Sequence, residues 1–175
     1  MDKYLKRKAP MVPVDVDQPS LNQKQKEIDL EDILADPGLR KPINEYLVND
    51  RDRVRRAYLQ KGPTQPHGHM FPQKMISGML RRFNEAWFDE YPSWLEYSVE
   101  KDSVYCLYCY LFKSKSGYQG GGDSFVGDGF SNWKKKGRFD VHVGRPNSSH
   151  NEARMKCENL MNKKKVLHLS SLSSH

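Results

Sequence analysis

Cys106-Leu107-Tyr108-Cys109 sits inside a β-rich run, Val104 to Phe112. Two thiols three residues apart on a tight turn form half of a tetrahedral metal site. A thioredoxin-like redox pair would stand between a strand and a helix, whereas the flanks here read as β on both sides. Downstream lie His142 and, at the start of an apparent helix, His150. Two thiolates from a hairpin and two imidazoles, one from a loop and one from a helix start, compose a closed Cys₂His₂ set, the donor chemistry of a structural Zn²⁺ ion. Cys157, seven residues after His150 on the same helix face, competes with His142, which ranks ahead of it because Cys157 is equally well explained as a small core residue. A closed set leaves no coordination position for substrate, so the ion would serve folding.

The chain needs such a staple. Only 37% of its 175 residues are hydrophobic, against 29% charged. This points to one small domain plus tails and excludes a large multidomain enzyme. No apolar run is long enough to cross a bilayer, and the first residues lack a signal-peptide core. Three cysteines cannot all pair, so a reducing compartment is the expected setting.

Hydrophobic patterning predicts an α+β fold, a small zinc-stapled β-hairpin with helices behind a disordered or loop-rich N-terminal region. Residues 1–27, rich in Pro, Gln, Lys and Asp, read as a disordered tail whose basic Lys3, Lys6, Arg7 and Lys8 most simply aid solubility. Residues 28–78 read as a loop-rich extension. It holds an amphipathic turn over 28–34, a turn at Asp36-Pro37-Gly38, a helix capped by Asn49-Asp50 and running to about Gln60, and a loop from Pro63 to Pro72. Large apolar residues then crowd between Phe83 and Tyr97. Trp94 to Ser98 alternates like a strand, Val104 to Phe112 is a β-rich run, and the two read as a hairpin around Glu100-Lys101-Asp102. The glycine-rich loop 114–123 lacks the Lys-Ser/Thr of a phosphate-binding loop. A short helix from Gly129 to Lys134 would plug Trp133 into the core. Asn147-Ser148-Ser149 caps a helix from His150 to Lys164, with Ser149 and Glu152 in capping-box spacing. Residues 79–165 thus form the finger, and 166–175 a disordered C-terminal tail.

The formal charge is +7, and all of it resides between Ser131 and Lys165, which holds ten basic and three acidic side chains. Lys134, Lys135, Lys136, Arg138, Arg145, Arg154 and Lys156 are the candidate phosphate contacts, because a local patch marks a docking surface better than a uniform excess does. No Ser/His/Asp or Cys/His set has supporting context, so catalysis is not expected.

Trp94 to Ser98, Tyr105 to Phe112, Phe130 to Lys134, His142 and Ser148 to Ala153 together resemble the TTF-type zinc finger of transposases and transcription factors. Asp36 to Ile43 and Arg55 to Pro63 resemble the N-terminal extension of its plant hAT-like, zinc finger MYM-type branch. The resemblance implies Zn²⁺ on Cys106, Cys109, His142 and His150, a duplex DNA partner such as a transposon end, and a nuclear location. The spacing between the two histidines is slightly longer than in the family. In the family an RNase H-like catalytic core follows the finger, and the expectation for a chain of this length is a binding module without that core. The alternative is a zinc-stabilised protein-interaction module, docking through Phe83 to Tyr97 or dimerising. No membrane or small-molecule partner is expected.

Overall fold

The computed structural model describes residues 33–113 and 124–172, with side chains described as far as Lys163. The expected tail over 1–27, most of the turn over 28–34, and the glycine-rich loop lie outside the described residues. Within them the architecture is mixed α+β, with five helices and two small antiparallel hairpins.

After two single 3-10 turns, Pro37–Leu39 and Ile43–Glu45, the first helix α1 spans Val48–Lys61. Asn49 and Asp50 do not cap it. Leu47 occupies that position without a side-chain bond, and Arg51 secures the start by donating to the carbonyls of Tyr46 and Asn44. Gly62, at φ +74°, ends it. The segment to Pro72 carries no regular element. Strands β1 (Lys74–Ile76) and β2 (Met79–Arg81) form a hairpin that straddles the boundary between 78 and 79. Helix α2 (Trp87–Glu90) follows, then the hairpin of β3 (Leu95–Ser98) and β4 (Ser103–Cys106), paired Leu95 to Cys106 and Ser98 to Ser103.

The expected strand through Phe112 stops at Cys106. Leu107–Phe112 is helix α3, because the Cys106 sulfur caps it by accepting from the Cys109 amide and because Leu107 and Leu111, four apart, are both buried on one side. Phe130 likewise is not helical. It bridges Val104 at the sheet edge, and Trp133-Lys134 forms a turn, so the expected helix there is replaced by α4 at Arg138–Val143. Helix α5 runs Ser149–Leu172, taking residues 166–172 into the helix in place of the expected tail. Its cap is Ser148, whose Oγ accepts from the Asn151 amide at 3.2 Å.

Two clusters make the core. One is aromatic. Phe71, Phe83, Trp87, Phe88, Tyr97 and Trp133 lock together with ring centroids about 5 Å apart, many edge to face. Trp133 therefore plugs the core as expected, while Phe83 to Tyr97 supplies core rings in place of a docking surface. The second cluster joins Ile33, Ile43, Tyr46, Val54, Ala57 and Tyr58 to Leu107, Leu111 and Cys157. Helix α3 is the wedge between the two, turning Cys109 to the first and Leu107 and Leu111 to the second. The N-terminal extension is thereby built into the domain.

A buried ion pair adds to that union. Arg40 grips Glu96 of β3 through both guanidinium nitrogens at 2.7 and 2.8 Å, with side chains 2% and 0% exposed. Arg40 also donates to the carbonyls of Leu34 and Ala35 and lies 4.3 Å over the Tyr58 ring. Burial pushes the Glu96 carboxyl pKa up, and the guanidinium and the Thr64 amide pull against that.

Candidate metal centre

Each donor is delivered by a different piece of local structure. Cys106 ends β4, held by its amide bond to the Phe125 carbonyl and by the β3 ladder. Cys109 sits one turn into α3. His142 lies near the end of α4 and His150 in the first turn of α5. His142 thus comes from a helix, where a loop was the expectation. The corner between the two histidine helices turns at Gly144, φ +63°. Ser148 Oγ donates to the Val143 carbonyl, and the Asn151 amide group donates to the carbonyls of Val143 and Arg145. Tyr91 donates to Asp140 at 2.6 Å, fixing α4 from its other side.

These anchors bring the four donor atoms within 4.8 Å of one another. Cys106 Sγ lies 3.4 Å from His150 Nδ1, and Cys109 Sγ lies 3.6 Å from His142 Nε2 and 3.9 Å from His150 Nδ1. Both sulfurs and the His150 ring are buried, and His142 is half-buried. The walls are aromatic: the Trp94 ring is 5.3 Å from His142 and 5.2 Å from His150, and the Phe125 ring is 4.3 Å from His142. Sequence reasoning missed both as wall residues. The signal for Trp94 lies in the hairpin register, which pairs Leu95 with Cys106.

Electrostatics within the group are lopsided. Burial pushes the Cys106 thiol well above its ordinary value, whereas Cys109 is held down at about 4, chiefly by accepting from the Cys106 thiol and further by the two imidazoles, against its own burial. Burial resists placing two negative charges on adjacent sulfurs. A divalent ion is the partner that lets both ionise, so the donor set fits a metal. Cys157 belongs elsewhere. It packs among the residues of the second core cluster, and burial pushes its thiol up to about 12.

The expected phosphate contacts fall on α4, on α5, in the loop before α4 and, for Arg145, in the corner between the two helices. Lys134, Lys135, Arg138, Arg145, Arg154 and Lys156 are exposed. Lys136 is half-buried, paired with Glu90 and near the Tyr91 ring, and Arg154 pairs with Glu158 at 2.7 Å.

Residues 123–174 match the family model described as DUF4371: ZMYM1/FAM200, RNase-like domain. The match takes in His142, His150 and the basic stretch, and leaves Cys106 and Cys109 outside it. No curated protein and no solved structure matches the chain. The match covers under a third of the chain and places the likeness to that family in its C-terminal part.

Proposed function

We propose that this chain is a zinc-stapled DNA-binding module of transposase descent. The observation that carries the metal half is the spacing of the donors. Zn–S and Zn–N bonds of about 2.3 and 2.0–2.1 Å at tetrahedral angles require sulfur-to-nitrogen edges near 3.6 Å. The observed separations of 3.4, 3.6 and 3.9 Å straddle that edge. With two thiolates and two imidazoles the tetrahedron is complete, so the ion serves to tie β4, α3, α4 and α5 together and leaves no position for substrate.

The DNA half rests on the exposed cations around α4 and along α5 and on the likeness of this region to a transposase-derived family. Lysines and arginines there would neutralise phosphates, with base readout left to other contacts. A nuclear site of action follows from that reading.

Metal analysis of the full chain tests the first half. About one equivalent of zinc is expected, lost together with the near-UV signal of the aromatic core in Cys109→Ser. A metal-free protein with its fold unchanged overturns the site. For the second half, duplex DNA is titrated at several salt concentrations. Lys134, Lys135, Arg138, Arg145 and Lys156 have no described carboxylate partner. If all of them meet phosphates, log affinity falls with log salt at a slope near about −4.5. No saturable binding at low salt refutes the DNA reading.

A further inference from the structure

The hairpin of β1 and β2 has more apolar surface than its own fold uses. Among the described residues its strands pair only with each other, so the outer edge of each presents unpaired amides and carbonyls. A hairpin of this size is marginal alone, and Ile76 is its chief anchor on the aromatic core. Met75 stands across from Leu80. Both point outward, 65% and 61% exposed, while Met79, across from Ile76 on the other face, is 59% exposed and Met70, before the hairpin, 90%. Below the hairpin the two chain segments part around a cleft lined by His69 to Pro72 on one side and Arg82 to Glu85 on the other.

The charge of this surface is one-sided. No Asp or Glu occurs between Thr64 and Glu85, while Lys74, Arg81 and Arg82 do. Lys74 is committed to Asp102 at 3.0 Å. Arg82 is exposed, and the Arg81 Nε is buried with no partner, its terminal nitrogen reaching the Met79 sulfur at 3.6 Å. Glu85, at the end of the cleft, is already satisfied by the Gly68 amide and His67. Two guanidinium groups, an open strand edge and the outward apolar pair Met75 and Leu80 describe a receptor for carboxylates spaced between apolar side chains.

We propose that the hairpin and its cleft dock an extended, acidic–apolar segment of a partner protein. The segment adds as a strand to a hairpin edge, lays alternate apolar side chains over Met75 and Leu80, and sets carboxylates on Arg81 across the strand and on Arg82 at the cleft. This surface shares no residue with the metal centre or with the basic patch, so it stands whether or not the chain binds DNA.

The test uses the full chain and a fluorescein-labelled octapeptide of alternating Glu and Leu, with Lys/Leu and Glu/Ser alternations as controls. Saturable binding of the Glu/Leu peptide alone is expected. It should weaken about tenfold, the equivalent of one lost charged contact, in Arg82→Glu and again in Leu80→Ser, both exposed changes that leave metal content and circular dichroism intact. Equal binding of the Lys/Leu peptide, no saturable binding of the Glu/Leu peptide, or unchanged affinity in both variants overturns the proposal. So does sedimentation showing a dimer that Leu80→Ser dissolves, which would assign the surface to a second copy of this chain.

Discussion

Replacing Arg40 by methionine should be among the most damaging single changes in the domain. Methionine keeps much of the side-chain bulk against Tyr58, so the loss is mainly electrostatic. Glu96 would be left in a site of 0% exposure with the Thr64 amide as its remaining described donor. Stranding one member of a buried pair costs about 3–5 kcal/mol, against a typical total stability of roughly 5–15 kcal/mol. At about 2–4 °C per kcal/mol for a chain of this length, the midpoint of thermal unfolding should fall by roughly 6–20 °C. The companion Arg40→Met/Glu96→Leu removes both charges, and such replacements are commonly neutral or stabilising. It should therefore recover most of the loss. Urea unfolding of wild type, both singles and the double closes the cycle. A loss below about 1 kcal/mol in Arg40→Met, or a double no better than Arg40→Met alone, would show that the pair does not hold residues 33–47 to the hairpin as described.

Two further outcomes concern Cys157 in the second core cluster and Gly129 against β4. Cys157→Ala should keep one equivalent of metal while losing about 1 kcal/mol of stability, and native Cys157, its thiol pushed up to about 12, should resist iodoacetamide at pH 8; a fall in stoichiometry would make it a ligand. Gly129→Ala should destabilise by more than about 2 kcal/mol, because the residue has φ +87° and a Cβ there would lie 2.5 Å from the Ser103 Cβ and 2.7 Å from the Tyr105 ring. An unchanged urea midpoint would contradict the close seating of Gly129 on β4.

What could be read from the residues followed the reach of local signals. The β3–β4 hairpin was legible because Trp94 to Ser98 alternates and Val104 to Cys106 is rich in strand-favouring residues, with a charged turn between them. Helix α1 was legible because Val54, Ala57 and Tyr58 repeat at helical spacing. Helix α3 was not, since Leu, Tyr, Cys and Phe favour strands until Leu107 and Leu111 find their partners on α1 and α5. Hairpin β1–β2 left one faint mark, the Ser77-Gly78 pair between apolar doublets, whose positive φ values of 51° and 78° make the tight turn. The donor set was found from residue chemistry and rough placement. The structure moves His142 from loop to helix and adds aromatic walls whose closeness depends on long-range packing. The integral role of the extension was hidden for a related reason. Its few apolar residues, Ile33, Ile43 and Tyr46, acquire meaning only against a cluster formed more than fifty positions later.

The donors are also far apart along the chain, with Cys109 33 positions before His142 and Cys106 44 before His150. A bound ion therefore closes a ring of chain, and residues 114–123 lie within that ring. Ring closure costs chain entropy that grows only with the logarithm of length, about 0.6 kcal/mol for a doubling. An insertion or deletion between Lys113 and Ser124 would therefore change the closure cost of the ion-held ring by only about a few tenths of a kcal/mol.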